Sequence, residues 1–123
     1  MKEQLEKLTE FHDAFGHPVA NIPTLSVNHK LRHKLMAEEN LEYYDAVEAG
    51  DLVETADALA DQLYILCGTI VAHGMQHIIE KIFAEVHDSN MSKLGADGIP
   101  IYREDGKIMK GPDYRKPDIG QFL

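Results

Sequence analysis

Cysteine is almost missing from this chain. Cys67 is the only one in 123 residues, so no internal disulfide can form. A single thiol in an apolar stretch reads as a small core side chain in a reducing compartment. Positive charge is also scarce: Lys and Arg number 12 against 21 Asp and Glu, for a formal net charge of -9. That field repels nucleic acid and anionic membrane, so a polyanionic substrate must be drawn in by local cations or by a metal. No run of about 18 apolar residues could span a bilayer, and the N-terminus Met1-Lys2-Glu3-Gln4-Leu5-Glu6 lacks an apolar signal core. The expectation is a soluble, cytoplasmic protein with neither nucleic acid nor membrane as partner. With no internal repeat or low-complexity stretch, residues 1–123 are expected to form a single domain around one core.

What the chain has in excess is acid, crowded at two places. Glu38-Glu39-Asn40-Leu41-Glu42 forms one cluster, and Glu54-Thr55-Ala56-Asp57 followed by Asp61 forms the other. At 100° per residue, Glu38 and Glu42 continue the stripe begun by Val27, Leu31 and Leu35, so acid replaces apolar side chains on a core-facing line. Several partly buried carboxylates cost several kcal/mol (order of magnitude) unless a cation compensates. The hard cation suited to oxygen ligands is Mg2+, with Mn2+ as a substitute.

Apolar spacing predicts four helices and then a different kind of tail. Leu5, Leu8, Phe11 and Phe15 mark a first helix from Lys2 to Phe15, closed by Gly16 and His17-Pro18. Ser26 is the expected N-cap of a long second helix running to about Ala49 and ending at Gly50. Asp51 with Glu54 resembles a capping box at the start of the third. Its apolar face reads as Leu52, Ala56, Leu59, Leu63, Leu66 and Ile70, stopped by Gly74. A fourth helix from Gln76 to Asp88, or a turn beyond, directs Ile78, Ile79, Ile82, Phe83 and Val86 toward the core. Ile101-Tyr102-Arg103 and Ile108-Met109 around Asp105-Gly106 read as a short hairpin, and Gly111 to Leu123 as extended coil. The expected fold is all-α: a four-helix core with a short C-terminal β-hairpin and an extended tail.

The second and third helices make an antiparallel hairpin about Gly50. Both rise about 1.5 Å per residue, so residue i lies level with roughly 100 minus i. Glu42 then faces position 58 and Glu39 faces Asp61. Asp57 and Asp61 share one helix face opposite the first cluster, whereas Glu54 sits nearer the loop and ranks below them as a ligand. Taken singly, each acid reads as solvated surface. Tyr64, Ile65, Gly68 and Ala72 on the carboxylate side argue instead for a helix covered on both sides.

These residues resemble the MazG-like all-alpha nucleoside triphosphate pyrophosphohydrolases, which include phosphoribosyl-ATP pyrophosphohydrolase and the dimeric dUTPases. Glu38-Glu39-x-x-Glu42 looks like the family's EExxE, and Glu54-x-x-Asp57 with Asp61 looks like its ExxD. Asp57-Ala-Leu-Ala-Asp61-Gln-Leu-Tyr64, Glu85-Val-His87-Asp-Ser-Asn90-Met-Ser-Lys93 and Asp105-Gly-Lys107 through Tyr114 are similar to the phosphoribosyl-ATP branch. One departure stands out: if Asp61 matches the last Asp of the second motif, the Glu three residues earlier is Ala58, and Asp57 or Glu54 substitutes for it. The resemblance implies cleavage of a nucleoside triphosphate between the α and β phosphates, giving a monophosphate and pyrophosphate.

On that reading Mg2+ is held by Glu38, Glu42, Asp57 and Asp61, with Glu54 as the alternative to Asp57. Glu39, at the site edge, is the water-orienting general base and a further metal ligand. Asn90, Lys93, Lys107, Lys110 and Tyr114, with Arg32, are the candidates for contacting a nucleoside triphosphate, although lysines also serve solubility and Tyr114 reads first as packing the tail. The family and the two-sided third helix imply a homodimer or a dimer of dimers. Two alternatives are phosphoribosyl-ATP pyrophosphohydrolase of histidine biosynthesis and a non-catalytic helical adaptor. His29 and His33 have i, i+4 spacing but no acidic partner at the right step and read as solvated. No Glu has a His three residues later, which argues against a ferritin-like di-iron centre.

Overall fold

The computed structural model describes every residue from Met1 to Leu123 and is entirely helical, with four α-helices and no sheet. The chain divides into two compact units, Met1–His77 and Ile78–Leu123. No helix is long and apolar enough to cross a membrane.

The first unit holds α1 (Lys2–Phe15), α2 (His29–Glu48) and α3 (Leu52–Ala72). Leu5, Leu8 and His12, one turn apart on α1, are buried. α1 packs on α3, and α3 packs along α2. The α2–α3 connection is short because the cap is local: the Asp51 side chain accepts from the Glu54 amide at 3.0 Å, as the capping pattern implies. The N-cap of α2 is Asn28, whose Oδ1 accepts from the Leu31 amide, and not Ser26. Ser26 is occupied in a local turn, its amide donating to Thr24 Oγ1.

Between α1 and α2 the chain is held against the end of α3. Ala20 and Thr24 donate their amides to the carbonyls of Val71 and His73, and the Gln76 side chain donates to Ala20 O at 2.8 Å. Gly74 permits this closeness. Its φ is +71°, and a Cβ there would collide with the Ile22 carbonyl.

Two expectations about faces are corrected. On α2 the inward line runs through buried Arg32, half-buried Leu35 and Glu39, and buried Ala46, while Leu31 and Glu38 are exposed. The true face is rotated by one residue from the stripe drawn through Leu31 and Glu38. On α3, Leu52, Leu59, Leu63 and Leu66 are exposed, with Leu63 at 47%. The helix buries Ile70 of that face and Gly68 and Ala72 of the carboxylate side, as expected, together with Ala58, Cys67 and Val71. Small residues let α1 and α2 approach closely, and the bulky stripe is left uncovered.

The second unit contains α4 (Ile79–Met91) and a 3₁₀ turn at Ile119–Phe122 that packs on it. α4 begins after a turn at 76–78, not at Gln76. Ile78, Ile79 and Ile82 are half-buried, but Phe83 is 65% exposed and Val86 is exposed, contrary to the expected core face. The expected β-hairpin is not formed. Arg103 and Met109 donate amides to the carbonyls of Lys107 and Ile101 around an Asp105-Gly106 turn, but only one isolated bridge joins Tyr102 and Ile108. Ile101, Tyr102, Ile108 and Met109 are all exposed, so nothing packs on the ribbon to extend it into strands.

The terminal residues are not free coil. Glu85 Oε1 accepts from Arg115 Nη1 at 2.6 Å and from the Asp118 amide at 2.8 Å. Buried Ser89 donates its hydroxyl to the Arg115 carbonyl. These bonds tie the segment after Tyr114 along α4.

Candidate metal centre

Hairpin register decides which acids meet. Gln62 donates its side-chain amide to Asn40 Oδ1 at 3.1 Å across α2 and α3, one residue along each helix from Glu39 and Asp61. Glu39, Glu42 and Asp61 converge, each offering a carboxylate oxygen within 4.8 Å of the others'. Oε2 of Glu39 is buried and has no hydrogen-bond partner. A buried, unsatisfied carboxylate oxygen on a side chain that also meets two more carboxylates is a costly arrangement for an isolated protein.

Glu39 registers the cost. Burial first, then the charges of Glu42 and Asp61, push its carboxyl above the ordinary glutamate range. A hydrogen bond with Glu42, possible only when one of the two holds a proton, and the charge of Glu38 act in the same direction.

The remaining acids separate. Glu54 and Asp57 line an adjoining groove of about 420 Å³ with Asp45 and Asp51, and Glu42 stands on both sites. Glu38 lies outside the cluster, its Oε1 3.9 Å from Lys34 Nζ on the exposed side of α2. The helical hairpin thus brings together three of the six acids expected as ligands and sets two more next door.

This donor set fits a hard divalent cation. It is all oxygen, it carries negative charge in a partly desolvated place, and it leaves one buried oxygen orphaned until something binds it.

The other expected contact residues divide between the units. Arg32 is in the first unit, 8% exposed, donating Nε to Thr69 Oγ1 at 3.0 Å and Nη2 to the Ile65 carbonyl at 2.9 Å. In the second unit Lys93 donates to Asn90 Oδ1 at 2.8 Å, and Lys110 Nζ lies 4.7 Å from the centre of the Tyr114 ring. Lys107 has no side-chain partner, and its amide donates to Asp105 Oδ1.

Sequence reasoning missed two features. One is Arg115 pairing with Glu85, a contact between residues with no periodic relationship. The other is His12, 3% exposed, whose Nδ1 lies 2.8 Å from the Pro18 carbonyl. Its place beside Leu5 and Leu8 on the apolar line of α1 was a signal that this histidine is buried.

Comparison with known proteins agrees with this architecture. Residues 8–90 match the family model for phosphoribosyl-ATP pyrophosphohydrolase, taking in the second half of α1, both acidic clusters and most of α4. The chain is also similar to the crystal structure of a "putative NTP pyrophosphohydrolase" from Exiguobacterium sp. 255-15. The two are 29% identical, with a TM-score of 0.52 over 97% of this chain and 90% of that one. No curated protein matches. With the family match spanning more than half of its length, the chain belongs to the phosphoribosyl-ATP pyrophosphohydrolase family of the MazG-like superfamily.

Proposed function

We propose that this protein is a Mg2+-dependent nucleotide pyrophosphohydrolase that converts a nucleoside triphosphate into the monophosphate and pyrophosphate, removing unwanted nucleotides in the cytoplasm. The observation that carries the proposal is the convergence of Glu39, Glu42 and Asp61, together with the buried, unpartnered Oε2 that Glu39 carries. Glu39, Glu42 and Asp61 would hold the ion, with Asp57 and Glu54 available across Glu42 for a second. When bound, the metal neutralises phosphate oxygens and polarises water.

The chain's own contribution is charge placement and proton transfer. Glu39 holds a proton more tightly than an ordinary glutamate, which suits a base that takes one from water as its oxygen attacks the α-phosphorus and the α–β anhydride bond breaks. Glu42 and Asp61 flank it with negative charge that keeps the site selective for cations. The expectation that Asn90, Lys93, Lys107, Lys110 and Tyr114 contact the nucleotide stays part of the proposal. Replacing Lys107 and Lys110 with Ala tests it: KM should rise roughly tenfold or more if each charged hydrogen bond is worth about 1.5–3 kcal/mol.

A second copy of the chain belongs to the proposal as well. Leu59, Leu63 and Leu66, with Met36, line an open apolar hollow of about 530 Å³ between α2 and α3. Covering that stripe with the same stripe of another chain would form an isologous dimer. Phosphoribosyl-ATP is the second reading of the substrate, favoured by the family match itself. Assaying pyrophosphate from a panel of nucleoside triphosphates and phosphoribosyl-ATP, with Mg2+ and with chelator, tests the function and separates the two substrates.

A further inference from the structure

Arg32 is a buried cation without an anion. Its guanidinium donates only to the Thr69 hydroxyl and the Ile65 carbonyl, no carboxylate pairs with it, and Nη1 has no acceptor. Room for it comes from Gly68, where a Cβ would fall 2.9 Å from both Arg32 Nη2 and His12 Nε2. These two side chains therefore flank one spot on α3. Nη1 is not sealed in, so it is open to donate to whatever enters beside it.

Beside it is a cavity of about 300 Å³ whose walls include Phe11, His12, His17, Arg32 and Tyr64. Phe11 meets Tyr64 edge-on at 5.5 Å, so the rings form an apolar, aromatic enclosure. Such walls suit a flat heteroaromatic ring. The polar groups are specific in sense. Arg32 can only donate. His12 Nδ1 faces a carbonyl, which only accepts, so Nδ1 carries a proton, and in that tautomer Nε2 is an acceptor with no protein partner.

Position links the cavity to the acids. Arg32 and Glu39 are two turns apart on one face of α2, about 10 Å along the axis. That is about the span of a nucleoside from its α-phosphate to the hydrogen-bonding edge of its base. On α3, Tyr64 follows Asp61 by less than one turn.

We infer that this cavity is the base subsite of the nucleotide site, and that it selects oxo bases. Guanine, hypoxanthine, uracil and thymine present a carbonyl for Arg32 and an adjacent ring N–H for His12 Nε2. Adenine and cytosine present an amino group to a donor and a ring acceptor to an acceptor, leaving both protein groups unsatisfied. This inference rests on the hydrolase reading for its assignment to a nucleotide, and it adds which nucleotides.

The test compares kcat/KM for GTP, ITP and UTP with that for ATP and CTP at fixed free Mg2+. One unsatisfied buried group predicts an oxo-base preference of roughly 10- to 100-fold. In His12→Phe and Arg32→Lys, kcat/KM for the oxo-base nucleotides should fall toward the amino-base level. If either buried substitution prevents folding, the wild-type ratios still decide. Equal values for the two base classes, a preference that survives both substitutions, or phosphoribosyl-ATP outrunning every oxo-base nucleotide overturns the assignment.

Absence of pyrophosphate from every nucleotide refutes the hydrolase reading and not this one. The subsite is then decided by calorimetric binding to the metal-free protein. Tighter binding of GMP and UMP than of AMP and CMP upholds it, and indifference overturns it.

Discussion

Asn40 and Gln62 hydrogen-bond across the α2–α3 hairpin at 3.1 Å, and the residue before each, Glu39 and Asp61, meets the other in the acidic cluster. The acidic centre is therefore a property of helix alignment, and the amide pair lies beside it. Its energetics follow from three carboxylates held close enough to compete for a proton.

Metal binding should stabilise the fold, and the effect should depend on pH. The proton affinity of Glu39 is raised in the folded state, so its contribution to stability is full below the ordinary glutamate pKa and is lost as pH rises through the raised value. Metal-free protein should thus gain stability as neutral solution is acidified toward the glutamate range. Mg2+ needs the ionised acids, so its stabilisation is largest above the raised value and fades as pH falls. At a hundredfold excess over Kd the gain is about 2.7 kcal/mol. Thermal melts with and without Mg2+ across that range check both slopes.

Glu39→Gln should separate chemistry from folding. Removing the charge relieves repulsion from Glu42 and Asp61, so the metal-free variant should melt no lower than wild type. Turnover should drop by about 10²–10⁴-fold, the usual worth of a positioned base. Glu42→Gln and Asp61→Asn should mainly weaken Mg2+ binding, measured by calorimetry. Wild-type turnover in Glu39→Gln would remove it from the chemistry.

The Glu85–Arg115 pair makes a separate claim about the second unit. Hydrogen bonding from Arg115, then from the Asp118 amide, holds the Glu85 carboxyl below the usual range. A lowered carboxylate stabilises above its unfolded pKa, and that support is lost as pH falls through the folded value. Glu85→Gln should therefore speed amide exchange at Asp118 at neutral pH, while leaving exchange in α2 and α3 unchanged.

Leu63→Glu tests the uncovered stripe of α3. Leu63 is exposed in a single chain, so a charge there should leave the monomer's helicity intact. Sedimentation should show wild type as a dimer or larger and the variant as a monomer. A wild-type monomer would remove the second copy from the account.

Much of this architecture was legible in the sequence, and the failures have physical causes. Helix ends were readable where local chemistry sets them: Gly16 closes α1, and Asp51 caps α3 through Glu54. The level of Glu39 with Asp61 followed from helix rise alone. That the leucine side of α3 is uncovered in this chain was not legible, because Leu59, Leu63 and Leu66 have the same period whether the covering surface is in this chain or another. On α2 the stripe began from Leu31, but the inward residue is Arg32, a charge that packing on α3 accommodates at Gly68. The shift of one residue exchanged Glu38 for Glu39 at the centre. The hairpin turn was readable from Asp105-Gly106, but strands need a partner surface that sequence spacing does not reveal.

The most direct measurement is pyrophosphate release from nucleoside triphosphates by the purified protein, with orthophosphate followed in parallel. The account predicts pyrophosphate and a nucleoside monophosphate in equal amounts from at least one triphosphate, in the presence of Mg2+ or Mn2+, abolished by chelator and by Asp61→Asn. Orthophosphate alone, or release that chelator leaves unchanged, would contradict it.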